Sequence, residues 1–338
     1  MRAYHLQPGG GIGSLRQIDF PSRPIASDEV RVAMCATSLN YRDLQIVRGG
    51  YGQPSAQVVI PLSDGVGQVI EVGPSVRRFA VADRVLTTFY PHWIEGPITR
   101  EKTAATHGGG SDGVLAEEQI FSETALVSAP ADLSDAEAAT LTCAGVTAWN
   151  ALFVQGEARP GASVLILGTG GVAVWALQLA VAAGLHPIVT SSSDEKLAIA
   201  RSMGARALVN YRTTPQWQKE VLKATDGEGV DLVIEVGGEN TLVKSIDATR
   251  PGGRVIVIGG VSGFGGAAIE PHSLIFGAKT LSAVTVGSRA MMSDLVRFVT
   301  QTGIRPTIAH EFGFDDARVA YEYLDAGRAF GKVVIRVG

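Results

Sequence analysis

The chain has 338 residues, a formal net charge of −4, 46% hydrophobic and 18% charged residues, and two cysteines. That length suits two domains with a substantial core, and the composition is that of a globular enzyme rather than a disordered chain. The mild negative charge gives no electrostatic reason to expect nucleic acid or an anionic membrane, and two cysteines exclude a disulfide framework or a cysteine-rich zinc lobe.

The first eight residues, Met1 to Pro8, lack the apolar core of a signal peptide, so a cytoplasmic protein is expected. Up to about residue 130 the sequence predicts short strands broken by Gly and Pro turns. Val30, Val32 and Met34 alternate with polar or small residues. Gly65 to Gly73 and Arg84 to Phe89 read as further strands. Pro91 to Gly113 is irregular and reads as a long surface loop near an active site.

At Ser134 the character changes. Ser134-Asp135-Ala136-Glu137 has capping-box form, and an Ala-rich helix is expected toward Leu152. Strand-like runs then alternate with helical ones. The strands are Ser163–Leu167, Pro187–Ser191, Ala207–Tyr211, Val230–Val236, Arg254–Gly259 and Thr280–Val286. The helices lie around Gly171–Ala180, Lys196–Met203, Trp217–Ala224, Leu242–Ala248 and Ser273–Phe276. That alternation predicts a doubly wound parallel sheet. A helix from Ser293, a strand at Ile308–Phe312, a helix through Tyr321–Asp325 and a strand at Lys332–Val337 close the chain.

The apolar run Ser163–Leu167 turns on glycines into a helix, with the spacing Gly168-x-Gly170-x-x-Ala173. A strand, a tight glycine turn and a helix aim free N–H groups and the helix dipole at one point, which suits a phosphate. Gly168, Thr169, Gly170, Gly171 and Val172 are therefore the candidate pyrophosphate loop. Gly161 to Leu185 carries no charge, but three glycines mid-segment and the flanking Pro160 and Pro187 argue for a buried strand and helix, not a membrane span.

Some 20 residues on, an NAD enzyme usually places an acid at the second strand's end. Here the strand runs into Ser191-Ser192-Ser193-Asp194-Glu195-Lys196. Hydroxyls from Ser191 and Ser192 leave room for a 2′-phosphate, and Lys196 adds positive charge, so NADP is expected. Lys196 has a second reading as a solvated helix residue. Ser192 and Glu195 stand in capping-box register.

The chain resembles the zinc-independent, quinone oxidoreductase-like branch of the medium-chain dehydrogenase/reductase superfamily. The resemblance rests on Ala36-Thr37-Ser38-Leu39-Asn40-Tyr41-Arg42-Asp43, Ser63-Asp64-Gly65-Val66-Gly67, Glu71-Val72-Gly73, Ala82-Asp83-Arg84-Val85, Gly168–Ala173 with Gln178-Leu179-Ala180, Val209-Asn210-Tyr211 and Gly331-Lys332-Val333-Val334. It implies an α/β chain: a GroES-like β-rich catalytic domain over residues 1–130, completed by 288–338, and a Rossmann dinucleotide-binding domain over 131–287. Zinc enzymes of that superfamily carry a Cys where this chain has Asn40 and a His-Glu pair where it has Ser63-Asp64. Cys143 matches the third ligand position. No catalytic or structural metal is expected, since one thiol cannot supply the roughly three ligands a catalytic zinc needs.

The same resemblance places Asn40 beside the nicotinamide, Tyr51 near the substrate and Thr147 near the nicotinamide phosphate, three candidate catalytic residues. Tyr51 either orients substrate or supplies a proton, or else packs its loop onto the domain. Asp43 is implied to be structural. Tyr211 and Lys196 are implied at the 2′-phosphate, Gly237 along the adenine, Gly259 to Val261 and Thr285 through Val286 to Gly287 at the carboxamide, and Lys332 near the pyrophosphate-ribose. The last strand of the nucleotide sheet is implied to pair across a homodimer. The expected activity is zinc-independent hydride transfer from NADPH to a quinone or α,β-unsaturated carbonyl, a small-molecule substrate. An alcohol dehydrogenase-type carbonyl/alcohol oxidoreductase and a non-catalytic NADP-binding protein are the competing readings. The substrate pocket is expected around Pro91–Gly113 and Arg48–Pro54.

Overall fold

In the computed structural model, residues 1–51, 57–263 and 265–338 are described. The antiparallel pair β1 (Arg2–His5) and β2 (Arg16–Asp19) leads into β3 (Glu29–Leu39). Val30, Val32 and Met34 of β3 are buried on one face; from Ala36 onward the strand is buried on both. It ends in α1 (Tyr41–Val47). Then come β4 (Asp64–Val72), β5 (Arg84–Thr87), β6 (Glu118–Ser122) and β7 (Leu126–Ser128). The expected Pro91–Gly113 loop holds no helix or strand, yet it tucks Trp93 and His107 into the interior.

Ser134 caps α2 (Asp135–Ala139) as expected: its Oγ accepts from Glu137 N–H, while Glu137 Oε2 accepts from Ser134 N–H at 2.8 Å. The expected single helix is interrupted. A π-helical turn at Leu141–Gly145 precedes α3 (Val146–Trp149), and a second follows at Asn150–Val154. Such wide turns have no residue-type signature in the sequence, and they recur near functional sites.

Next come β8 (Ser163–Leu167), α4 (Gly171–Ala182), β9 (His186–Ser191), α5 (Asp194–Ser202), β10 (Ala207–Asn210), α6 (Trp217–Ala224), β11 (Val230–Glu235), α7 (Leu242–Ala248), β12 (Thr249–Val257), α8 (Pro271–Ile275) and β13 (Thr280–Ala283). All six strands are parallel, in the order β10-β9-β8-β11-β12-β13. Numbered within the sheet this is 3-2-1-4-5-6, the Rossmann order, whose direction reverses between β8 and β11. The uncharged α4 is apolar nearly all round because it is buried, with Trp175 only 1% exposed. Among the described residues, no helix is long and apolar enough to cross a membrane.

The chain then forms α9 (Arg289–Thr302), β14 (Ile308–Phe312), α10 (Ala317–Asp325) and β15 (Lys332–Arg336). The mostly antiparallel sheet runs β14-β15-β3-β4-β5-β7, with β6 also on β3. Thus the C-terminal strand completes the sheet begun by the N-terminal residues. Two compact units result: Met1–Val146 with Gly287–Gly338, and Thr147–Val286. Helix α2 packs on β3, β4, β14 and β15, which is why the first unit continues to Val146.

Candidate active site

In the second unit, β8 delivers the glycine turn to the point where strand order reverses. Gly168 has φ +80°, a left-handed conformation that glycine adopts without a steric penalty. Its N–H is held by Thr190 O at 2.9 Å. Gly170 caps α4 with an extended backbone, φ −79° and ψ −173°, that any residue could adopt. A Cβ at either glycine would meet nothing within 4 Å. The turn therefore leaves open space over the first-turn N–H groups of Gly171, Val172 and Ala173, which have no acceptor within the helix. That is the cradle a pyrophosphate needs.

Beside it, Ser191 ends β9, and Tyr211 N–H donates to Ser191 O at 3.0 Å, so Tyr211 follows β10 at the same edge. Ser191 Oγ accepts from Ser193 N–H. The cap of α5 is Ser193, whose Oγ accepts from Lys196 N–H at 3.3 Å, rather than Ser192 in register with Glu195. The difference has a local cause: β9 ends at Ser191 as expected, but Ser192 is spent in the turn and Ser193 takes the extended cap conformation, φ −124° and ψ 123°, before α5 begins at Asp194. Lys196 lies in the first turn of α5, partly buried, and that burial lowers its pKa. Asp194, the first residue of α5, accepts from Asn210 Nδ2 at 2.7 Å.

Further along the same sheet edge, the loops after β11 and β12 are tied together. Val261 N–H donates to Val236 O at 3.1 Å and Ser262 N–H to Gly237 O at 2.7 Å. Gly259 lies within this pair of loops, with open space where its side chain would be except for Val236 O at 3.5 Å. Sequence reading missed the anchor. Glu235 is fully buried, and its Oε1 accepts from Gly237 N–H (2.6 Å), Gly238 N–H (3.1 Å) and the Thr241 hydroxyl (2.7 Å), while Oε2 accepts from Ser245. Four donors stabilise a charge that burial alone would not tolerate. After β13, Val284 N–H continues the pairing to Val257 O, and Thr285 leads to Val286. Val286 has φ +54°, a conformation costing about 1–3 kcal/mol for a β-branched residue. Asn150 holds it there, donating from Nδ2 to Val286 O at 2.8 Å. Thr147, also in this unit, is 3% exposed. Gly287 falls in the first unit.

In the first unit, strand register explains how three distant polar residues meet. Ser38 of β3 pairs with Asp64 of β4, and Leu39 of β3 pairs with Val333 of β15. The end of β3, the start of β4 and the start of β15 therefore share one sheet edge, and Asn40, Asp64 and Lys332 converge there. Lys332 Nζ donates to Leu39 O at 2.6 Å and Asn40 Oδ1 at 2.5 Å, with Asp64 Oδ2 at 3.6 Å. Lys332, implied near the pyrophosphate-ribose, is 2% exposed and turned inward. Asp64 also accepts from the Ser63 hydroxyl at 2.7 Å and Cys143 N–H at 3.3 Å. Burial, reinforced by Asp64, pushes the Cys143 thiol far above its usual range, so it is no thiolate. Asp43 serves locally, accepting from Asn40 N–H at 2.7 Å.

Beneath these residues, Arg42 is buried between two rings, its guanidinium 4.9 Å from Tyr51 and 4.8 Å from Phe89. It donates to His107 O at 2.8 Å. Burial raises the Tyr51 phenol and lowers His107 to about 4, so the first stays protonated and the second neutral at pH 7. Of the Arg48–Pro54 stretch expected to line a pocket, residues 52–54 lie outside the described residues. Among the described residues, no cluster of three or more His, Cys, Asp or Glu side chains could hold a metal ion.

A Rossmann sheet with an open glycine cradle at its reversal point defines the class, a dinucleotide-dependent oxidoreductase. The comparisons agree. The zinc-binding dehydrogenase family model matches residues 171–301, and the alcohol dehydrogenase GroES-like domain matches residues 26–131. A zinc-type alcohol dehydrogenase-like protein of Schizosaccharomyces pombe is 42% identical over 317 residues, 91% of each chain. A provisionally assigned alcohol dehydrogenase of Sinorhizobium meliloti 1021 superposes with a TM-score of 0.91 at 38% identity over all of both chains. An NAD-dependent alcohol dehydrogenase gives 0.90 at 30%, again over all of both. The chain belongs to the medium-chain dehydrogenase/reductase superfamily, a nicotinamide-dependent family, and is an alcohol dehydrogenase-like oxidoreductase.

Proposed function

We propose that the protein is a metal-independent, NADPH-dependent reductase of quinones or α,β-unsaturated carbonyls. The observation that carries this reading is the ammonium of Lys332 seated among Leu39 O, Asn40 Oδ1 and Asp64 Oδ2. Cys143, Asn40 and the Ser63-Asp64 pair do not fit a catalytic zinc. The amide is a poor ligand, one thiol falls short of the roughly three ligands a catalytic zinc needs, and the Lys332 side chain already takes Asn40 Oδ1. Without a Lewis acid, oxidation of a simple alcohol lacks support for its alkoxide, whereas an activated acceptor needs less.

NADPH is favoured over NADH by Ser191, Ser192, Lys196 and Tyr211 around the end of β9, where a serine stands in place of the strand-end acid that an NAD enzyme usually carries. Gly168 to Val172 would hold the pyrophosphate, Gly237, Gly259 and Val261 the adenosine and carboxamide side, and Thr285 to Gly287 the carboxamide backbone contacts. When bound, the reduced nicotinamide supplies the hydride. Asn40 donates from Nδ2 to the substrate oxygen that gains charge, and Thr147 positions the nicotinamide end. Tyr51, a protonated phenol braced on Arg42, supplies the proton that completes reduction.

A homodimer through β13 is part of this reading: β13 is an edge strand, and Ile275 (69%) and Phe276 (84%) just before it are strongly exposed. So is a cytoplasmic setting, which suits two unpaired cysteines. The test is a fluorescence titration with NADPH and NADH, then a panel of quinones, enals and enones with the preferred nucleotide. Turnover of simple alcohols with NAD instead would select the alcohol dehydrogenase reading, and tight binding without turnover the non-catalytic one.

A further inference from the structure

Asn40 and Lys332 stand 292 residues apart in sequence and share a hydrogen bond of 2.5 Å in a closed environment, Asn40 9% and Lys332 2% exposed. An ammonium can only donate, so it admits a single orientation of the amide, with Oδ1 toward Nζ. That leaves Nδ2 to face elsewhere. Among the described residues this donor is buried and has no hydrogen-bond partner. Buried donors are nearly always satisfied, so an orphan at a candidate active site marks a place where a ligand atom completes the set.

The ammonium is itself held in place. Leu39 O takes one of its three donors at 2.6 Å, Asn40 Oδ1 a second, and Asp64 Oδ2 lies at 3.6 Å. Asp64 cannot swing away, because the Ser63 hydroxyl and Cys143 N–H hold its two oxygens. Ser63 O in turn accepts from Thr87 Oγ1 at 2.8 Å, and Thr142 Oγ1 closes the chain onto Thr87 O at 2.9 Å. The network starts at fixed backbone and ends at the Asn40 amide.

We propose that Lys332, braced by Asp64, is a positioning residue that locks the Asn40 side chain as a hydrogen-bond donor to the acceptor oxygen of the substrate. Lys332 touches neither substrate nor nucleotide; it acts through Asn40. The proposal rests on the reading of Asn40 as that donor. Misorienting the amide would turn Oδ1, a lone-pair carrier, toward an oxygen that is gaining negative charge.

The test is a double-mutant cycle on the full-length protein with Lys332→Met, Asn40→Leu and the pair, measuring kcat for NADPH-dependent reduction and the Kd for NADPH. Either single change is expected to lower kcat by roughly 10²-fold, the scale of losing one oxyanion donor, and the pair no further. The Kd is expected to stay within about twofold. Asn40→Asp keeps every acceptor of Lys332, so it preserves folding while replacing the donor. It is expected to lose kcat as fully as Asn40→Leu with no fall in melting temperature. Multiplying single effects, or a Lys332→Met loss confined to melting temperature, would overturn the proposal. A second readout needs no turnover. In protein labelled with 15N-asparagine, the Asn40 amide pair, assigned by its loss in Asn40→Asp, is expected to exchange slowly with solvent and to shift and exchange faster in Lys332→Met. An unchanged pair overturns the lock whatever the reaction. A pair that responds while kcat does not overturns the donor reading of Asn40 and leaves the lock standing.

Discussion

Gly168 and Gly170 lie two residues apart in the same turn, and replacing each with alanine should have opposite consequences. At Gly170 the backbone is extended and a Cβ meets nothing within 4 Å. Gly170→Ala should leave the unliganded protein as stable as before, with its melting temperature changed by no more than about a degree. The methyl group would occupy the space above the first turn of α4, where we place the pyrophosphate. NADPH affinity should fall by about 100-fold if one close backbone–phosphate approach is lost, that is ~2.7 kcal/mol. At a nucleotide concentration 100 times the wild-type Kd, ligand stabilisation should drop from about 2.7 to about 0.4 kcal/mol. Gly168→Ala should behave in reverse fashion. Its φ of +80° imposes about 1–2 kcal/mol of strain on alanine with or without ligand. Differential scanning calorimetry with and without NADPH, alongside a fluorescence titration, separates the two. If Gly170→Ala binds NADPH as wild type does, the cradle is not where the pyrophosphate sits.

Three further outcomes follow from the buried groups and the ribose side. His107 titrates near 4 in the fold against 6.5 when free, so acidification should cost about 2 kcal/mol between pH 7 and pH 5, while Asp43, raised to about 6 from 3.8, should return about 1 kcal/mol in the same window. The two groups together should therefore cost the wild type about 1 kcal/mol from pH 7 to 5, and His107→Gln should reverse their sign and gain about 1 kcal/mol; chemical denaturation of both across that range checks the sign. Tyr51→Phe keeps the ring against Arg42 but removes the phenol, and should lower kcat about 10- to 100-fold with the NADPH Kd unchanged; an unaltered kcat would assign Tyr51 to packing alone. Ser191→Asp should cut the preference for NADPH over NADH at least about tenfold in paired titrations, and an unmoved ratio would remove Ser191 from the 2′-phosphate site.

The nucleotide-binding half was largely legible in the sequence because its central strands β8, β9 and β11 are largely apolar runs of five or six residues set off by turns, and the glycine spacing sits between a readable strand and helix. The exception there is the cap of α5: the strand ends at Ser191 as expected, but the turn that follows takes up Ser192 and leaves Ser193 to cap the helix. The polar cluster of the first unit was not legible. Asn40 and Lys332 meet only because β15 pairs antiparallel with β3, a contact no local pattern encodes, although a lysine heading the apolar strand Val333–Ile335 was a signal that it would need a buried acceptor. Glu235, ending an apolar strand, was a similar unused signal. The π-helical turns around Val146 and the burial of His107 within an irregular loop left no trace in residue type at all.

In the reading proposed above, hydride passes from NADPH to an activated acceptor without a metal. The most direct measurement is NADPH oxidation at 340 nm by protein treated with a strong chelator, verified free of zinc by mass spectrometry, against a quinone and an enone. Full turnover is expected, unchanged when zinc is restored, with a clear preference for NADPH over NADH. Activity that disappears with the chelator and returns with stoichiometric zinc, or that appears only with a simple alcohol and NAD, would contradict it.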